Sequence, residues 1–307
     1  MSAWIRPSFG IKTVPVRATY DDILAVWREA DAIPRIEHAW LWDHMLPLFG
    51  DPSTPILEGW TLLAALAGQT ERLRIGLMVT SNRIRPPAVL AKIAATVDLI
   101  SGGRLEFGIG VGATDSPGRP GQELATREYD AYGIDLVSPA DGIGALDEAC
   151  TLVRRLWTEG PFDFDGRYYH LAGARCEPKP VQQPHPPILI GGWGRKTLRV
   201  VAGQADIWNV PGPPHNTIDF IRKRSRILDE HCAEIARNPR DITRSAQIVI
   251  SYDNPAAARA TLLDLVDAGV SHLVIGLPAP FPPHVARWVA AEIIGPVSDQ
   301  AANVRHC

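Results

Sequence analysis

Short apolar runs recur along the chain, each followed by a longer run in which apolar residues return every three or four positions. Period two marks a strand and period 3.6 a helix. The first such pair is "SFGIK" (8–12) and "TYDDILAVWREADAI" (19–33), whose Ile23, Val26, Trp27 and Ala30 share one helical face. The second strand is "HAWLW" (38–42), and Thr54-Pro55 predicts the start of the next helix: a hydroxyl cap followed by proline where its missing N–H is not needed. That helix carries Leu62, Leu63 and Leu66. The third pair is "LRIGLMV" (73–79) and a helix over 87–101, with Val89, Ile93, Val97 and Ile100 as its predicted inward stripe and Gly102-Gly103 as its stop. In "RLEFGIGVG" (104–112), Leu105, Phe107, Ile109 and Val111 alternate as in a fourth strand.

After this strand the rhythm breaks. The segment 113–140 is rich in glycine and proline and too long for an ordinary connector, so it is predicted to be a functional loop or lid. A helix follows, with Ile143, Leu146, Cys150, Val153 and Trp157 inward, and then "FDFDGRYYHL" predicts a hairpin turning at Asp165-Gly166. Four more strand–helix pairs complete the chain: 186–192 with 195–204, 205–210 with 216–236, 245–252 with 255–269, and 272–277 with 282–294. Eight βα units in 307 residues imply parallel strands and closure into one α/β (β/α)8 barrel domain spanning 1–307, with 113–140 as an insertion after strand 4.

Composition narrows the function. With 46% hydrophobic and 21% charged residues and a net charge of −3, the chain reads as globular, with scattered arginines and no nucleic-acid surface. Nothing approaches the run of about 18 apolar residues that a membrane span needs, and no leader pattern opens the chain, so a cytoplasmic protein is expected. Cys150, Cys176, Cys232 and Cys307 are far apart and form no CxxC pair, which suggests neither a disulfide framework nor a metal site.

In a barrel of this kind, residues just past each strand's C-terminal end converge on one mouth. The candidates there are Lys12, Asp43, His44, Thr80, Ser81, Asn82, Gly110, Gly112, Gly191, Gly192, Trp193, Trp208, Asn209 and Tyr252. His44 suits proton transfer near neutral pH. The "GIGVG" run (108–112) leaves a strip of wall without side chains, as a flat ring would need or as close packing by a neighbour would fill. "ILIGGWGRKTLR" joins strand to helix through Gly191, Gly192 and Gly194, a setting for a phosphate at a helix N-terminus, without GxGxxG spacing. Trp42, Trp193 and Trp208 suggest an apolar or aromatic small-molecule substrate.

These segments, together with "WLWDHM", "PILEGWTLLAALAGQTERLRIGLMVTSNRIRPPAVLAKIAATVDLISGGRLEFGIGVG" and "RRLWTEGPFDFDGRYYHL", resemble the luciferase-like monooxygenase superfamily, within it the branch of coenzyme F420-dependent oxidoreductases. The resemblance implies a deazaflavin at the mouth, Asp43 and His44 beside its ring and His44 as the proton-transfer group. It also implies a non-proline cis peptide in the third strand, near Gly76 to Val79 and at Leu77-Met78 by preference, and ring contact through Thr80. Gly110, Val111 and Gly112 would face the ribityl side, and Gly191, Gly192, Trp193 and Gly194 with Thr197 the phosphate. Arg83, Arg85, Arg195 and Lys196 would meet the cofactor's acidic tail, and a homodimer through the early helices is expected. Two departures stand out: Ala113 occupies the position of a glutamate found in sugar-phosphate oxidisers, and the "ATDSPGRPGQELATRE" segment (113–128) replaces a Trp-Tyr-Glu run. FMN with oxygen, as in a two-component monooxygenase, is the alternative cofactor chemistry, and a non-catalytic flavin- or F420-binding protein is the second alternative.

Overall fold

The computed structural model describes residues 6–48, 50–118 and 121–303. Its elements are β1 (Ser8–Thr13), α1 (Tyr20–Asp31), β2 (His38–Leu41), α2 (Gly59–Ala67), β3 (Arg74–Leu77), β4 (Thr80–Ser81), α3 (Pro87–Ser101), β5 (Leu105–Gly110), α4 (Gln122–Ala131) and α5 (Pro139–Thr158). They continue with β6 (Phe162–Asp165), β7 (His170–Ala174), β8 (Ile188–Gly191), α6 (Arg195–Gln204), β9 (Ile207–Val210), α7 (Ile218–Glu234), β10 (Thr243–Val249), α8 (Pro255–Asp267), β11 (His272–Leu277), α9 (Val285–Val289) and α10 (Gly295–Asn303). The main sheet runs β3-β2-β1-β11-β10-β9-β8-β5-β4 and closes through β3–β5 pairing, with β3 and β4 acting as one interrupted stave. It is an eight-stave parallel (β/α)8 barrel, and β6–β7 form a separate antiparallel hairpin, as the periodicity predicts.

Alternation sorts each stave into two faces. Outward residues such as Ile11, Leu41, Ile75, Phe107, Ile190 and Leu273 join the buried helix faces in one continuous apolar layer. Inward, Trp40, Met78, Leu189, Ile207 and Val274 form a smaller plug, with Val79 partly buried against it. Below the plug, at the N-terminal ends of the staves, lie the buried polar residues His38, Glu106 and His272. No helix among the described residues is long and apolar enough to cross a membrane.

Four elements depart from the sequence reading. Helix α2 starts at Gly59, not at Thr54-Pro55: Thr54 is held in a turn by its N–H to Asp51 O (3.0 Å), and the cap is the Glu58 carboxylate, which accepts from Trp60 N (3.0 Å) and Thr61 N (2.7 Å). Helix α3 turns its small face inward, burying Leu90, Ala91, Ala94, Ala95 and Val97, while Val89 and Ile100 are 51% and 48% exposed. Alanines let the helix approach closely, so bulk did not identify the buried stripe. The third stave breaks after Leu77. The segment 113–140 is no bare loop, since it contains α4 with Glu128 and Tyr129 buried. Cys307 lies outside the described residues.

Candidate active site

At the end of β2 the chain turns two neighbouring side chains to different fates. Asp43 is 2% exposed, and its carboxylate takes a two-pronged grip from Arg85: Nη1 to Oδ2 at 2.6 Å and Nη2 to Oδ1 at 3.0 Å. Thr80 Oγ1 donates to the same carboxylate and accepts from Trp60 Nε1 at 3.1 Å, and Arg85 also donates to Glu58. Burial alone would lower the Arg85 pKa, but its hydrogen bond to Asp43 and the charges of Asp43 and Glu58 raise it. Asp43 and Thr80, expected against a ring, therefore present no carboxylate or hydroxyl surface to the mouth, because Arg85 and Trp60 occupy them. Arg85, expected to meet an acidic tail, is likewise consumed by Asp43 and Glu58.

His44 faces the other way. Its side chain is 32% exposed, its ring packs edge-on against Trp42 at 5.0 Å, and Nδ1 lies 3.0 Å from Glu128 Oε2 on α4. Glu128 also accepts from the backbone N–H of Met45 (2.5 Å) and Leu46 (3.3 Å). Burial pushes this carboxyl upward, but the hydrogen bond and charge of His44 and the two backbone donors outweigh it and hold the pKa below the usual range. An ionised carboxylate only accepts, so the His44 proton sits on Nδ1 and Nε2 is the nitrogen available for chemistry. Helix α4 is pinned by further bonds: Arg127 Nη2 to Pro47 O (2.7 Å), and Tyr129 OH with Ser81 Oγ (2.7 Å) and Ala113 N (2.9 Å). The periodic pattern hid Glu128 because it lies in the glycine- and proline-rich insertion; "QELATREYDA" alone, with buried Glu-Tyr in its middle, was the available signal.

The glycine strip has a structural occupant. A Cβ on Gly108 would lie 2.0 Å from Leu77 O, one on Gly110 2.8 Å from Val79 Cγ2, and one on Gly112 2.2 Å from Ser81 Oγ. The strip thus makes room for the interrupted third stave, whose non-proline cis bond is Met78–Val79, one residue later than expected. Val79, partly exposed, supplies the side chain that fills the cleared wall between Gly110 and Gly191, while Leu77 and Met78 are buried.

On the β8 side, Gly192 adopts φ 146°, a region L side chains rarely enter, with Thr197 packed beneath it. Its carbonyl accepts from Trp208 Nε1 (2.7 Å), and Trp208 is a core residue, not a mouth residue. Helix α6 begins after Gly194 without a side-chain cap, and Thr197 is buried in its first turn. Trp193 is half-buried with its ring 4.3 Å from that of His215. Arg195, exposed, pairs with Glu230. On β1, β9 and β10, Lys12, Asn209 and Gln247 form a hydrogen-bonded row inside the barrel, and Tyr252 bonds Pro278 O on the outer rim.

The profile described as "Luciferase-like monooxygenase" matches residues 7–300. An uncharacterized protein of Mycobacterium tuberculosis strain H37Rv is 31% identical over 227 residues, 74% of this chain and 70% of that protein. The phthiodiolone/phenolphthiodiolone dimycocerosates ketoreductase of the same strain is 31% identical over 192 residues, covering 62% of this chain and 46% of the ketoreductase. Among solved structures, an F420-dependent secondary alcohol dehydrogenase in complex with an F420-acetone adduct superposes with a TM-score of 0.80 at 17% identity, over 96% of this chain and 99% of that one.

Proposed function

The chain belongs to the luciferase-like monooxygenase family, and from that footing we propose that it is a coenzyme F420-dependent oxidoreductase transferring a hydride between the deazaflavin and a small organic substrate. The observation that carries this reading is the mouth's His44, held at Nδ1 by Glu128 with Nε2 available. A ketoreductase among the relatives puts a ketone or its alcohol first as the substrate class.

The residues present fit such a cofactor. Trp42 Nε1 and Asn82 Oδ1 are buried without a partner among the described residues, a donor and an acceptor for a ring with polar edges. Gly191 and Gly192 allow close backbone approach, and the uncapped start of α6 leaves N–H groups for a phosphate. In this reading Met78, Val79, Gly110, Val111 and Gly191 border the ring, and Gly192, Trp193, Gly194 and Thr197 border the phosphate. When bound, the deazaflavin supplies a ring carbon that donates or accepts a hydride.

The chain's own residues supply the rest. His44 Nε2 holds the proton exchanged with the substrate oxygen, so that hydride and proton together account for the two electrons and two hydrogens separating ketone from alcohol. Glu128 fixes the tautomer and balances the charge when His44 is protonated. Asp43, clamped by Arg85, is a positioning residue that fixes the end of β2. Helix α3 turns Val89, Leu99 and Ile100 to the surface, and we extend the proposal to a homodimer through the early helices, which sedimentation velocity would test.

The deciding experiment is matched fluorescence titration of the purified protein with F420 and FMN. Micromolar or tighter F420 binding with much weaker FMN binding is expected. The reverse preference would overturn the F420 reading in favour of oxygen-dependent flavin chemistry.

A further inference from the structure

Among the described residues, the barrel interior holds a cation, Lys12, that no carboxylate neutralises. Lys12, near the C-terminal end of β1, stands in register with Trp40 on β2 and Gly276 on β11, and its Nζ donates to Gln247 Oε1 at 2.8 Å. The orientation of that amide is fixed from below. Gln247 Nε2 donates to Asn209 Oδ1 (2.8 Å), Asn209 Nδ2 donates to Ser245 Oγ (2.8 Å), and Ser245 Oγ pairs with His272 Nδ1 (2.7 Å). Gln247 thus spends its nitrogen on Asn209 and turns its oxygen to the ammonium. That oxygen is neutral, and Lys12 has three donors.

The carboxylates around the barrel are taken. Glu106, at the N-terminal end of the same interior, is held through Oε1 by Arg74, with Oε2 3.5 Å from His272 and without a hydrogen bond among the described residues; Asp43 and Glu58 hold Arg85; Glu128 holds His44. The titratable groups facing Lys12 from its packed neighbours are therefore His38 and His272 with Glu106, a level lower, while Trp40 and Gly276 bring none. Burial without a counter-charge lowers the Lys12 pKa to about 8. A half-buried ammonium without a counter-charge is a cost to folding, and the group able to offset it would enter from the mouth.

We propose that Lys12, aimed by Gln247, forms an anion subsite on the floor of the mouth that takes the carboxylate of an acidic organic substrate. This rests on the mouth being the active site and narrows its substrate to an oxo or hydroxy compound that also carries a carboxylate. The half-buried Trp42 and Val79 would receive its apolar body.

The test reads the lysine directly. The chain has five lysines, Lys12, Lys92, Lys179, Lys196 and Lys223, so full-length protein labelled with [ε-13C]lysine gives few resonances. Lys12→Met assigns the signal; should that variant not fold, replacing the other four one at a time by arginine assigns it by elimination. The probes are benzoate and hexanoate, against benzyl alcohol and hexanol at matched ionic strength, without cofactor. The Lys12 resonance is expected to titrate near pH 8 and to move up by about one pH unit with a carboxylate, and not with the alcohols. No movement with either carboxylate, or an equal movement with sodium chloride, would overturn the subsite. A rise with F420 alone to which carboxylates add nothing would assign the ammonium to the cofactor and overturn it too. A rise with carboxylates in a protein that does not bind F420 would support the subsite and sink only the F420 reading.

Discussion

Charge is handled in two ways around this mouth. On the wall built from β2, the interrupted third stave, α2 and α4, the charged groups at the mouth meet opposites: Arg85 between Asp43 and Glu58, and His44 against Glu128. On the wall built from β1, β9 and β10, a cation meets only amides. Paired charges hold geometry, because breaking one pair strands its partner in a poor solvent. An unpaired charge contributes little to geometry and much to ligand preference. The first wall is thus suited to positioning and the second to receiving.

Substitutions can break this comparison, the largest effect first. Replacing His44 by Ala should lower kcat by roughly 10²–10⁴-fold once a substrate is known, with cofactor affinity nearly unchanged; equal turnover would remove His44 from the mechanism. Asp43→Ala leaves Arg85 with a single carboxylate partner, Glu58, and should cost about 3 kcal/mol in urea unfolding, toward the low end for a broken buried pair because Arg85 retains some solvent. A loss within 0.5 kcal/mol, on the scale of about that size for ordinary surface changes, would show that the clamp is not structural.

Glu128→Gln should keep α4 in place through Arg127 and Tyr129 but weaken the bond to His44, lowering kcat roughly 10–100-fold, the equivalent of about 1.5–3 kcal/mol, with the pH profile of kcat displaced. Its linkage sign follows from a folded pKa held below the ordinary glutamate value. The stabilisation is complete above about pH 5 and is lost as pH falls through the folded pKa, so wild type should lose its advantage over Glu128→Gln on acidification, as thermal melts at stepped pH would show. The smallest effect sharpens the contrast by its sign. Lys12→Met should be neutral or stabilising by up to about 1 kcal/mol at pH 7, where Asp43→Ala is destabilising, because it removes a charge that has no counter-charge.

Much of this was legible in one dimension. The α1 face of Ile23, Val26, Trp27 and Ala30 was read correctly because a strong amphipathic stripe specifies its own burial. The hairpin near Asp165-Gly166 was legible for a similar reason, being a local turn. The α3 stripe was half legible: Val97 and Ile93 pack on the core while Val89 and Ile100 are exposed, since alanines bury as readily as isoleucines when a neighbouring helix approaches closely. At the site, strand ends located Asp43 and His44 together but could not separate them. Which of the two neighbours faces water depends on Arg85, 42 residues further along, and on Glu128, 84 residues from His44.

The sequence by itself determined the eight βα units and the closure they impose, because period and turn chemistry are local properties of the chain. Only the tertiary structure decided the pairings: the glycine strip filled by Val79, the clamp on Asp43, the helix that carries Glu128 to His44 and the absence of any partner charge described for Lys12. The physical reason is that a charge or a cavity acquires its meaning from what lies within a few ångströms of it, and those neighbours come from distant staves.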